Sequence, residues 1–183
     1  MNLNKIRIDG IPVIIWGKPS DKMILAAHGS HSSKIDDCIW VLAEAAINKG
    51  YQVLSFDLPQ HGERVYETDF IMPDECVREL NLMYTYAMKH TKKVSLFGCS
   101  MGAYFELLTF SNAVIDRVWF LSPVTNMERI IHNLMNYCHI TEEVFQKKVR
   151  VDNDIEPLYY PYYVYVKNHP IIKWTHKTFI LRG

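Results

Sequence analysis

The stretch Val94-Ser95-Leu96-Phe97-Gly98-Cys99-Ser100-Met101-Gly102-Ala103 decides how this chain reads. Val94 to Phe97 is an apolar, strand-like run, and from about Met101 to Phe110 the pattern turns helical. A Gly-x-Ser-x-Gly motif therefore falls between a predicted strand and a predicted helix, the context this motif requires. A serine at such a junction occupies a tight, strained turn that projects its hydroxyl above the sheet. Glycines two before and two after it remove side chains that would collide there. The amino end of the helix offers amides and a positive dipole end to a developing oxyanion. Cys99 precedes the turn and should point toward the sheet, which makes it the weaker nucleophile candidate.

Outward from this turn, strands and helices alternate. Toward the amino terminus, Ile6 to Asp9 and Ile11 to Trp16 flank Gly10 and read as a hairpin. Met23 to Ala27 is continuously apolar, as suits a strand buried on both faces of a parallel sheet. It ends in the polar turn His28-Gly29-Ser30-His31-Ser32-Ser33. From Lys34 to Lys49, Ile35, Cys38, Ile39, Leu42, Ala45 and Ala46 recur at helical spacing, and Gly50 closes that helix. Tyr51 to Phe56 is a strand that ends at Asp57, and Asp57-Leu58-Pro59-Gln60-His61-Gly62 is a loop. Pro73 and Asp74 open a helix carrying Val77, Leu80, Leu82, Met83 and Met88. Toward the carboxyl terminus, Arg117 to Leu121 is a strand stopped by Ser122-Pro123. The alternation predicts βαβ units and a mostly parallel, doubly wound sheet.

After Pro123 the rhythm breaks. Met127 to His139 and Thr141 to Val151 read as helices, and Leu158 to Tyr165 holds five tyrosines. Packing is the favoured role for those rings, with some bordering the cleft. Phe179 to Leu181 reads as one last strand. About fifty residues between consecutive strands is too long for a plain crossover and predicts an inserted cap. The expected organisation is one domain, with a core of 1–126 and 177–183 and a cap of about 127–176.

Composition excludes several classes. The 183 residues are 49% hydrophobic and 22% charged, which is enough apolar material for one sizeable core. Twenty basic residues balance twenty acidic ones, so no electrostatic footprint points to nucleic acid. No apolar run reaches the ~18 residues of a membrane span, and the first residues lack the apolar stretch of a signal peptide. A cytoplasmic location is the default expectation. Cys38, Cys76, Cys99 and Cys138 form no C-x-x-C pair and are expected to be buried, reduced hydrophobes. His90, His132, His139, His169 and His176 have no metal-ligand spacing.

At His28-Gly29, Asp57-x-Pro59-x-His61-Gly62, Gly98-x-Ser100-x-Gly102 and Leu121-Ser122-Pro123 the chain resembles the α/β-hydrolase family. It looks most like the small serine hydrolases grouped with monoacylglycerol lipases and serine aminopeptidases. The resemblance implies that Ser100 is a nucleophile acting on an ester, thioester or small amide. It implies an oxyanion hole formed by the amides of Ser30 and Met101, a lid over the site from about Met127 to His176, and no cofactor or metal. In that family the acid and then the histidine follow the strand that Phe179 to Leu181 resembles. The chain is thus expected to be a C-terminally truncated hydrolase whose last strand is an exposed edge inviting self-association. The competing expectation is an inert remnant that binds a small acyl ligand or a protein partner. His28 and His61 should lie near Ser100, and shaping the turns is their favoured role over serving as base. Asp57 is expected to fix its loop, and His31 to be a solvated loop residue within reach of substrate.

Overall fold

The structure, a computed structural model, describes residues 2–67 and 70–182. Met1, Thr68, Asp69 and Gly183, which the expected domain boundaries include, lie outside the described residues.

Seven strands form one sheet in the order β1-β2-β4-β3-β5-β6-β9. They are β1 (Leu3–Ile8), β2 (Ile11–Trp16), β3 (Lys22–Ala27), β4 (Gln52–Phe56), β5 (Lys93–Cys99), β6 (Val118–Leu121) and β9 (Thr178–Leu181). The first two are the expected hairpin, and β2 pairs antiparallel with β4. From β4 through β9 every pairing is parallel. The strand order reverses at β3, which lies between β4 and β5 although it precedes both in the chain. In such sheets ligands bind beyond the carboxyl ends of the strands at that switch point. His28, Asp57, Ser100 and Ser122 each follow immediately on one of β3, β4, β5 and β6.

Helices cover the two faces. Helix α1 (Asp37–Ile47) packs Ile39, Ala43 and Ala46 on a cluster with Ile14, Trp16, Ile24, Val53 and Phe97. On the other face, α2 (Pro73–His90) and α3 (Met101–Phe110) bury Leu80, Met83, Phe105 and Phe110 against Leu25, Leu54, Phe56 and Leu96. Alternation along a strand explains the split: Val94 and Leu96 of β5 face one layer, and Phe97 faces the other.

The segment after β6 holds α4 (Met127–Tyr137), α5 (Glu142–Lys148) and α6 (Tyr160–Asn168), with a two-residue ladder between β7 (Arg150–Val151) and β8 (Leu158–Tyr159). Its apolar residues Ile131, Met135, Phe145, Leu158, Tyr163 and Val166 join the α2/α3 cluster. The helix expected over Thr141 to Val151 stops at Lys148. Val149 turns to φ 62°, and Arg150 and Val151 pair with β8 instead. The helix expected from Lys34 begins at Asp37, because Lys34 is held by a carboxylate across the loop. Of the four cysteines only Cys76 is fully buried; Cys38, Cys99 and Cys138 are partly exposed, which corrects the expectation for those three. The described residues contain no helix long and apolar enough to cross a membrane.

Candidate active site

Ser100 sits between β5 and α3 with φ 47° and ψ −111°, a positive φ that a side chain rarely adopts. Three backbone bonds hold it there. The Ser100 N–H donates to the Leu121 carbonyl at 2.9 Å, and its carbonyl accepts from Val124 at 3.2 Å and Tyr104 at 3.4 Å. The flanking glycines permit the turn by close approach. A Cβ on Gly98 would stand 2.5 Å from the Ala103 Cα, and one on Gly102 would strike the backbone of Ala27 and His28. Gly29 brings the loop after β3 onto the same turn: a Cβ there would lie 3.4 Å from the Ser100 Cβ.

Ser100 itself is half-buried, and its hydroxyl makes no hydrogen bond among the described residues. The amides of Ser30 and Met101 likewise donate to no acceptor among them. Met101 is the first residue of α3, where a helix leaves its N–H groups unused.

The two nearby histidines are spent on the loops. His28 is fully buried. Its Nδ1 donates to the Gly29 carbonyl at 2.8 Å and its Nε2 accepts the Leu58 N–H at 3.1 Å. Burial lowers its pKa to about 4, against an opposing contribution from the Gly29 carbonyl, so the ring is neutral near pH 7. His61 repeats the arrangement, with Nδ1 on the Pro59 carbonyl at 2.8 Å and Nε2 accepting from the His31 N–H at 3.2 Å. An amide can donate only to an unprotonated ring nitrogen, so both rings are Nδ1–H tautomers. The rings lie 5.1 Å apart and stitch the loops after β3 and β4 together. Neither has a nitrogen free to take a proton from Ser100.

Asp57 is fully buried. Its carboxylate accepts from the Lys34 N–H at 2.9 Å, the Lys34 ammonium at 2.5 Å and the Glu63 N–H at 3.0 Å. Gly62, at φ 55°, leaves no room for a Cβ beside that carboxyl. His31 is exposed and pairs with Glu156 at 2.8 Å, tying the β3 loop to the segment between β7 and β8.

Sequence reasoning missed several buried groups. Arg64 forms a two-pronged pair with Glu79 at 2.6 and 2.8 Å, both side chains buried. Glu106 on α3 is fully buried, and neither carboxyl oxygen is hydrogen-bonded among the described residues. The Tyr104 hydroxyl is buried without a hydrogen-bond partner among the described residues, and Tyr104 lines a small cavity with Asn126, Glu128, Val166 and His169. No local pattern distinguishes these residues from solvated helix positions, because their burial comes from distant elements. A larger cavity of about 240 Å³ lies against β1 and β2, lined by Lys5, Arg7, Val13, Lys34 and Glu63, away from Ser100.

No family model and no curated protein sequence matches this chain. Solved structures do. Est1E from Butyrivibrio proteoclasticus superposes with a TM-score of 0.77 at 17% identity, covering 100% of this chain and 78% of that one. Alpha/beta hydrolase domain-containing protein 10 from mouse gives 0.76 at 12% identity, covering 100% of this chain and 78% of that one. An esterase from Pyrococcus furiosus gives 0.66 at 18% identity, covering 98% and 69%. At these identities the likeness is one of fold, and it makes this an α/β-hydrolase fold.

Proposed function

We propose that this chain is a serine hydrolase of a carboxylic ester, thioester or small amide, working through an acyl-enzyme on Ser100. The carrying observation is the Ser100 turn, at φ 47°, with Met101 opening α3 next to it and Gly29 of the β3 loop packed on it. In this reading the Ser100 oxygen attacks the carbonyl carbon, and the carbonyl electron pair moves onto its oxygen. The two amides hold that oxyanion. Collapse of the intermediate expels the alcohol, thiol or amine and leaves the acyl group on Ser100. The base is neither His28 nor His61, whose ring nitrogens are all engaged. As the resemblance to monoacylglycerol lipase and serine aminopeptidase-like hydrolases implies, the acid and histidine would follow β9. Residues 127–176 would be the cap over a small acyl substrate, without cofactor or metal, in the cytoplasm. The β9 edge, where Phe179, Ile180 and Leu181 are exposed, would be the surface for self-association.

The same engaged histidines favour a second reading, an inert remnant that binds an acyl ligand or a protein. A fluorophosphonate probe and a short-chain nitrophenyl ester separate the two. The hydrolase reading expects covalent labelling and turnover that Ser100→Ala abolishes, at least when the chain is extended through its natural reading frame. Absence of both in the chain and its extension would leave the remnant reading.

A further inference from the structure

We propose that the cavity of about 240 Å³ against β1 and β2 is a binding site for a small organic acid with a single carboxylate. The cavity lies on the α1 side of the sheet. Lys5 and Arg7 stand opposite Ile14 and Pro12 in the hairpin, and Ile14 belongs to the cluster under α1. Alternation along the strand therefore puts both cations on that side. Lys34, from the loop before α1, also lines the cavity, as does Glu63 from the short turn after β4. Lys34 is held in place before any ligand arrives. It is only 5% exposed, its ammonium lies on Asp57 and Glu63, and its carbonyl accepts the Ser55 hydroxyl at 2.8 Å. A donor fixed in this way loses little freedom on binding.

Charge and hydrogen-bonding capacity both point to an anion. Lys5, Arg7 and Lys34 share two carboxylates, Glu63 and the buried Asp57, which leaves one positive charge over. Arg7 gives one N–H to the Gly10 carbonyl at 2.7 Å and one to Glu63 at 3.4 Å; its other three side-chain N–H groups meet no acceptor among the described residues. The Lys5 ammonium has no partner among them either. A single negative charge balances the cavity, whereas a dianion reverses its sign. The rest of the lining, Ile6, Pro12 and Val13, is apolar, so the charge belongs on a small apolar body rather than on a bare, hydrated ion.

The site is separate from the Ser100 turn, because β4 and β3 stand between β2 and β5. Its connection to that turn is Lys34. The Lys34 amide and ammonium both hold Asp57, so a bound acid touches the residue that anchors the far end of the loop carrying Ser30.

The test titrates the full chain with benzoate at constant ionic strength and follows backbone amide shifts by NMR. The expected result is saturable shifts at Lys5, Ile6, Arg7, Val13 and Lys34, with a Kd of about 1–10 mM. Acetate, phosphate and benzyl alcohol should each bind more weakly, since each lacks either the apolar body or the single charge. Lys5→Ala and Arg7→Ala, both at exposed side chains, should each weaken benzoate about 3–5-fold. Glu63→Gln removes the competing carboxylate and should tighten it, and Lys89→Ala on α2 should change nothing. The proposal is overturned if these amides show no saturable shift, if phosphate or benzyl alcohol binds as tightly as benzoate, or if Lys5→Ala and Arg7→Ala leave the affinity unchanged. Ser100→Ala should bind benzoate at these amides as wild type does, so the outcome is independent of whether Ser100 is a nucleophile.

Discussion

Gly102 lies against the carbonyl oxygen of His28 with no room between them for a methyl group. Helix α3 thereby closes onto the end of β3, and the loop that carries Gly29 and Ser30 is brought to the Ser100 turn. Replacing a helical glycine by alanine ordinarily stabilises by about 0.5–1 kcal/mol. Here the obstruction is backbone on the neighbouring strand, which cannot swing aside. Overpacking of this kind costs about 1–3 kcal/mol and outweighs the helical gain. Gly102→Ala is expected to lower the urea midpoint; an unchanged or raised midpoint would show that α3 can retreat freely.

Ser100 holds its positive φ against a local cost of about 1–3 kcal/mol. Glycine adopts that region without strain, and the Ser100 hydroxyl makes no bond among the described residues whose loss would offset the gain. Ser100→Gly is expected to raise stability by about 1–2 kcal/mol while abolishing fluorophosphonate labelling. Thermal melting of the variant beside Ser100→Ala checks it, since alanine keeps the strain and glycine removes it.

His28 makes stability depend on acidity. Its folded pKa of about 4 lies below the ordinary 6.5, so above 6.5 the ring is neutral in both states and contributes nothing to pH dependence. Below 6.5 the unfolded chain takes up a proton that the buried ring refuses. Stability is lost as pH falls from 6.5 toward about 4, by about 3 kcal/mol in all. Urea unfolding of wild type and His28→Gln across pH 4–7 should give a steeper acid slope for wild type; parallel curves would contradict the neutral buried ring.

Glu106 acts in the opposite direction. Burial alone drives its carboxyl well above the ordinary carboxylate range, and neither oxygen has a partner among the described residues. Above an ordinary value of 4.5 the unfolded side chain ionises while the folded one stays neutral. Its contribution therefore falls as pH rises and is most favourable in acid. Glu106→Met keeps the volume and removes an unsatisfied polar group, for an expected gain of about 1–3 kcal/mol near neutral pH. That gain should shrink toward pH 4.5, and a gain independent of pH would mean the carboxyl is not titrating.

The alternation of strands and helices was legible because it is written in local patterns. Apolar runs such as Met23 to Ala27 mark buried strands, and Pro73 marks a helix start. Two departures have distant causes. Lys34 has helical spacing, but its amide and ammonium are committed to Asp57, so α1 starts later. The run from Thr141 has helical spacing to Val151, but the partner strand at Leu158–Tyr159 takes Arg150 and Val151.

By itself the sequence determined the mostly parallel sheet and where the Ser100 turn falls, because glycine spacing and apolar periodicity act over a few residues. Only the tertiary structure decided the roles around that turn. The order β4-β3-β5 sets the loops after β3 and β4 side by side, so that His28 and His61 bond across them. It also sets α1 on the sheet face that holds Ile24, Val53 and Phe97. It buries Glu106 and pairs Arg64 with Glu79. Tautomer, pKa and ion pairing depend on which distant groups arrive within a few ångströms, and that is settled only when the sheet closes.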